Sequence, residues 1–99
     1  MEFSTSRVGG VATLRIVGEL DAVTTPNFRP FLDALVAERH PRVVVDVSGL
    51  RLIDSSGVGA VVFLYKKAKE YGGVVTVCGL HDQPLSIFKL LRLDRVLLA

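Results

Sequence analysis

The apolar positions of this chain change period several times, and each change marks a predicted element. Between Val11 and Val17, Ala12, Leu14 and Ile16 alternate with Thr13 and Arg15, the period-two pattern of a strand with one buried and one exposed face. Glu2 to Val8 precedes it as another strand, and the Gly9-Gly10 dipeptide between them is a favourable hairpin turn. Thr24-Thr25-Pro26 then reads as a cap followed by a proline at the helix start, and Phe28, Phe31, Leu32, Leu35 and Val36 recur at helical spacing. This first helix is expected to end near His40-Pro41.

From Pro41 to Val47 the chain is a short β-branched run, the signature of a strand buried on both faces, which Ser48-Gly49 is expected to break. Ala60 to Tyr71 contains neither Gly nor Pro until Gly72-Gly73, which reads as a C-cap. At about 100° per residue, Ala60, Val61, Leu64, Ala68 and Tyr71 share one arc that should face the sheet. Val62 and Phe63 fall to either side of that arc, near Lys66 and Gly59. Val74 to Cys78 is a further strand, which the preceding helix makes a parallel neighbour by a right-handed crossover. Asp82-Gln83-Pro84 opens a short third helix with Leu85, Phe88 and Leu91 inward, and Arg95 to Leu98 is expected as a last edge strand. The predicted fold is α/β: one domain over residues 1–99, with a mixed sheet of about five strands and helices packed mainly on one face.

Composition narrows the class without naming a function. With 99 residues and 49% apolar content the chain is one domain with enough core to fold without staples. The single Cys78 excludes an intramolecular disulfide and reads as a buried strand residue. No apolar stretch approaches the roughly 20 residues of a membrane span, and Met1-Glu2-Phe3-Ser4 lacks a basic region leading into an apolar one. A cytoplasmic protein with no direct membrane insertion is therefore expected. The net charge of +2 and pI near 9.0 come from scattered basic residues. Lys66, Lys67 and Lys69 share their helix with Glu70 and no interleaved aromatic platform, so a solvated face is expected and nucleic acid is not.

The chemistry concentrates where the third strand gives way to the second helix, at Ile53-Asp54-Ser55-Ser56-Gly57-Val58-Gly59. Asp and Ser are favoured N-caps, so one of these residues serves the helix by accepting from its first free amides. A second reading is that a serine hydroxyl is presented to a partner or a modifying enzyme. A phosphate there would add about −1.5 to −2 charges beside free amides and the positive end of the helix dipole, changing the surface without disturbing the fold.

The spaced set from Asp46-Val47-Ser48-Gly49 through Leu50-Arg51-Leu52-Ile53 to Asp54-Ser55-Ser56-Gly57, followed by an apolar helix ending in Gly72-Gly73, resembles the central motif of the STAS family, named for sulfate transporters and anti-sigma factor antagonists. Gly18-Glu19-Leu20-Asp21 resembles the same family's earlier signature. The resemblance implies an anti-sigma factor antagonist in a partner-switching cascade of stress response or sporulation. In that cycle the unmodified domain binds an anti-sigma factor with serine kinase activity and releases the sigma factor. The kinase phosphorylates the serine after the motif aspartate, here Ser55 with Ser56 as the fallback, and a PP2C-type phosphatase resets it. Asp54 then orients the turn or only caps the helix. Asp21 and Asp46 are expected in loops converging on the same end of the sheet. With Ser56, Gly57, Val58, Val62, Phe63 and Lys66 they complete the expected partner surface, on a monomer or weak dimer without a cofactor. Some relatives instead form non-phosphorylated scaffold subunits of membrane-associated transport complexes.

An enzyme is the competing class. No Gly-x-Ser-x-Gly elbow is present, His40 and His81 sit in expected loops away from the serines, and one cysteine with two isolated histidines lacks metal-ligand spacing. The chain also has no Gly-rich loop ending in Lys-Ser or Lys-Thr, so neither a hydrolase nor a nucleotide-hydrolysing enzyme is expected.

Overall fold

The computed structural model describes residues 1–97, without the side chain of Val96. Its elements run β1 (Glu2–Val8), β2 (Val11–Leu20), α1 (Thr25–Ala37), β3 (Arg42–Ile53), α2 (Ser55–Glu70), β4 (Val74–Cys78), α3 (Asp82–Leu90) and α4 (Asp94–Leu97). One mixed sheet in the order β1-β2-β3-β4 joins them, with β1 antiparallel to β2 and the other pairs parallel. The hairpin closes at Gly9, whose φ of 60° is the left-handed conformation that glycine reaches without steric cost.

Alternation along the strands puts the core on one face. Ala12, Leu14 and Ile16 of β2, Val43, Val45 and Val47 of β3, and Val75 and Val77 of β4 are buried there under Phe28, Leu32 and Leu35 of α1 and Ala60, Val61, Leu64 and Ala68 of α2. Tyr71 stands at the rim, where its hydroxyl donates to the His40 carbonyl at 3.0 Å. At the β1 edge Phe3 packs on Phe28 and Phe31, with ring centroids 5.1 and 4.5 Å apart. Arg7 clamps the same strand to the end of α1 by a two-pronged bond to Glu38, at 2.7 and 2.9 Å.

Several expectations are corrected. The third strand is not buried on both faces: Val44, Asp46, Thr76 and Cys78 occupy the opposite, half-buried face, so Cys78 is only partly covered. Ser48-Gly49 does not end that strand, because two bulges absorb the irregularity and pairing with β2 resumes at Val17↔Gly49 and again at Glu19↔Leu52. Glycine is required at position 49, where a Cβ would meet Val17 Cγ2 at 2.9 Å. The sheet has four strands, and the expected edge strand is absent over Arg95 to Leu97, which belong to α4; Leu98 lies outside the described residues. The Leu93 carbonyl accepting from the Leu97 amide at 2.9 Å closes that turn, and Leu97 is buried against the core instead of pairing with a neighbour.

Candidate functional site

The Asp-Ser-Ser turn forms where β3 ends and α2 begins, and Asp54 makes it. Its backbone is extended (φ −110°, ψ −172°), the geometry of an N-cap, and its Oδ1 accepts from the amides of Ser56 at 2.9 Å and Gly57 at 3.1 Å. The other oxygen, Oδ2, accepts from the Ala22 amide at 3.0 Å, while the Asp54 amide donates to the Leu20 carbonyl at 3.1 Å. One side chain thus caps α2 and ties its start to the loop between β2 and α1.

That loop is organised by Asp21, whose Oδ1 accepts from the amides of Val23 at 2.9 Å and Thr24 at 3.0 Å. The Thr24 amide holds the Asp21 carboxyl below its usual range. Thr24 Oγ1 accepts in turn from the Asp21 amide at 3.0 Å. Asp21 therefore does the capping work of the turn, and the loop leaves Val23 81% exposed beside Ala22. Composition and spacing in the sequence gave no sign of this exposed apolar residue.

Along α2, Ser55, Gly59, Val62 and Lys66 form one outward row, four positions that fall within a narrow arc at helical spacing. Ser55 and Lys66 are exposed and Gly59 and Val62 half-buried. Ser55 is the first helical residue, and among the described residues no hydrogen bond engages its hydroxyl. Ser56, half-buried, faces the start of α1, and the two serines are therefore not equivalent. Phe63 is half-buried beneath Arg29 of α1, whose guanidinium carbon stands 4.9 Å from the ring centroid.

The expectation that Gly57 and Val58 lie on the surface is corrected, because both are buried. A Cβ on Gly57 would sit 2.5 Å from the Leu20 carbonyl oxygen and 2.7 Å from Ile53 Cγ1. Glycine here lets the first turn of α2 press on β2. Asp46 is also corrected: it lies within β3, opposite Arg15 and Cys78, on the sheet face away from the helices. The Ser48 amide, bonded to its Oδ1 at 3.0 Å, pulls its pKa down. No bond brings Asp46 to the Asp54 turn among the described residues.

A support for the site lies in α3, where sequence spacing gave no hint. Gln83 reads the backbone of Ile53 with both ends of its amide: Oε1 accepts from the Ile53 N–H and Nε2 donates to the Ile53 carbonyl, each at 2.9 Å. This pins the residue directly before Asp54. His81, at the N-cap of α3, places Nδ1 2.6 Å from Asp82 Oδ2 and Nε2 2.8 Å from the Ser48 carbonyl. Both partners are acceptors, and the Asp82 carboxylate first, then the Ser48 carbonyl, raise the pKa of the ring.

Among the described residues no group of three or more His, Cys, Asp or Glu side chains is placed to hold a metal ion, and no helix is long and apolar enough to cross a membrane. Comparison with known proteins agrees with this architecture. The family model described as "Mlab, STAS domain" matches residues 3–99. An anti-sigma F factor antagonist of Paenibacillus polymyxa is 33% identical over 73 residues, covering 73% of this chain and 62% of that relative, so the chain spans less than two thirds of its length. A crystal structure of an anti-sigma factor antagonist from Mycobacterium paratuberculosis shares 27% identity with a TM-score of 0.83, covering 97% of this chain and 81% of the other. The structure of an anti-sigma-factor antagonist (STAS) domain protein from Planctomyces limnophilus gives a TM-score of 0.86 over 96% of this chain and 86% of its own; at 18% identity it speaks to fold alone.

Proposed function

This chain belongs to the STAS domain family, and on that premise we propose that it acts as an anti-sigma factor antagonist whose binding is switched by phosphorylation of Ser55. In the proposed cycle the unmodified protein binds an anti-sigma factor that is also a serine kinase, freeing a sigma factor. The kinase phosphorylates Ser55, and a PP2C-type phosphatase restores the binding form. The protein works in the cytoplasm as a monomer or weak dimer, over a module spanning residues 1–99, and has no catalytic activity of its own.

The observation that carries this reading is the division of labour at the turn. Asp54 already satisfies the amides of Ser56 and Gly57, so Ser55 is not needed as a cap and its exposed hydroxyl is open to modification. A phosphate at Ser55 would enter the row Ser55, Gly59, Val62, Lys66 and alter charge and bulk at the rim of an apolar contact without unfolding the helix beneath. The proposed surface comprises that row, Phe63, and the loop carrying Asp21 and the exposed Val23, joined through the bond from Ala22 to Asp54. Asp54 also positions the adjacent hydroxyl for transfer, with Ser56 the less accessible alternative.

Mass spectrometry of the protein isolated from its host tests the switch. A single phosphate on Ser55, absent from Ser55→Ala, is expected. A phosphate confined to Ser56, or none under conditions that free and sequester the sigma factor, would reject Ser55 as the switch.

A further inference from the structure

The first turns of α1 and α2 flank an open hollow of about 260 Å³, lined by Ala22, Thr25, Pro26, Arg29 and Ser56. Its polar groups are one cation and two hydroxyls, all able to donate a hydrogen bond. Arg29 makes no ion pair or hydrogen bond among the described residues, and its guanidinium carbon stands over the Phe63 ring, 4.9 Å from the centroid. Gly59 of α2 lies beside it, where a Cβ would stand in ordinary contact, 3.7 Å from Arg29 Nη2. Thr25 is only 5% exposed, and its Oγ1 is buried without a hydrogen-bond partner. Ser56 adds a second hydroxyl. No carboxylate lines the hollow, and that of Asp54, two residues before Ser56, is already bound by three amides.

A buried hydroxyl without a partner is costly, and a cation fixed by an aromatic ring is ready to bind without reorganising. The geometry points to a socket for one carboxylate of a docking protein, an Asp or Glu side chain that enters between the two helix starts and is gripped by Arg29 and Ser56, with the covered Thr25 hydroxyl turning toward it to gain the partner it lacks. Guanidinium and carboxylate match as planar, two-pronged partners, and Ala22 and Pro26 supply apolar walls for the side-chain stem. Charge beyond the hollow has the same preference. Lys66, Lys67 and Lys69 stand exposed on α2 with one exposed carboxylate, Glu70, which among the described residues pairs only Lys67, at 3.4 Å. The docking segment is therefore acidic. This inference rests on the reading that a partner binds at this end of α2.

The socket is tested apart from that reading by titrating the full ¹⁵N-labelled chain with N-acetyl-glutamate methylamide at constant ionic strength, with the glutamine analogue and inorganic phosphate as parallel arms. Saturable shifts at the Thr25 and Ser56 amides and the Arg29 Nε–H are expected with glutamate and not with glutamine. Arg29→Gln should weaken that binding about tenfold, the scale of one charged hydrogen bond. Thr25→Val should weaken it several-fold, with an unchanged or raised Tm, since the hydroxyl has no partner to lose in the free protein. Shifts that never saturate, that glutamine reproduces, or that survive Arg29→Gln would overturn the socket, as would tighter binding of phosphate than of glutamate. A lowered Tm in Thr25→Val would show the hydroxyl already bonded and remove the basis of the inference. Should the titration fail while a host partner still distinguishes wild type from Ser55→Asp, only the socket falls.

Discussion

Asp54 and Ser55 are neighbours with opposite duties, and substitutions separate them. Asp54→Ala removes the acceptor of three amides, including the Ala22 N–H that ties α2 to the β2–α1 loop. Loss of a helix cap costs about 1–2 kcal/mol. For a domain of this size that lowers Tm by roughly 4–16 °C, measurable by thermal unfolding. Ser55→Asp should leave Tm within a degree or two, since a carboxylate is tolerated at a helix start, while weakening partner binding. A fall in Tm as large as that of Asp54→Ala would make Ser55 structural. Gly57→Ala should destabilise by about 1–3 kcal/mol through overpacking, because its Cβ would press on the Leu20 backbone, which cannot rotate away. Residue types alone revealed the cap and the serine beside it. They did not reveal that Gly57 and Val58 point inward, because a residue's direction in the first turn depends on where the helix sits on the sheet.

The elements of the site are held by contacts that local sequence patterns do not encode. Alternation in Ala12, Leu14 and Ile16 and helical spacing in α2 were enough to find β2 and the buried arc of Ala60, Val61, Leu64 and Ala68. The bulges in β3 were not legible, since Ser48-Gly49 reads as a strand end and only pairing with β2 carries the strand onward. Asp46 was misplaced for the same reason. At the far end, Arg95 to Leu97 have the apolar content of a strand, yet they leave the edge of β4 unpaired and fold as a turn of helix that buries Leu97. The grip of α3 on β3 also spans about thirty residues of chain, through Gln83 on Ile53 and His81 on Ser48.

His81 makes that grip pH-dependent. Its ring faces two acceptors, so only the doubly protonated form donates to both, and its folded pKa is raised above 6.5. The stabilisation is fully present below 6.5 and is lost as pH rises through the raised folded value. Tm should therefore decline across that window, and His81→Gln should flatten the decline. An unchanged slope in the variant would assign the pH response to another group.

At the scale of the molecule, helices on one sheet face bring the starts of α1 and α2 together at one end. A protein interface of ordinary size takes about 800 Å² from each partner, close to a seventh of the 5438 Å² surface described here. The outward row of α2 with the Val23 loop is a natural centre for such a patch. The exposed charges of α2 are Lys66, Lys67, Lys69 and Glu70, a net positive set, so association with an acidic partner should slow as salt is raised, and Lys66→Glu should lower the on-rate with little change in Tm. An on-rate insensitive to both would place the contact elsewhere. The spaced Asp-Ser-Ser-Gly motif makes the family legible in the residues alone, whereas the pairing of Arg29 with Phe63 across two helices exists only in the packing.

The account stands or falls on whether charge at Ser55 controls a protein contact. Wild type and Ser55→Asp, immobilised side by side, would be exposed to host lysate and the bound proteins identified by mass spectrometry. Capture of a kinase-like ATPase by wild type and its loss with Ser55→Asp is the predicted result. Equal capture of transporter subunits by both forms would contradict it and make the domain a constitutive scaffold.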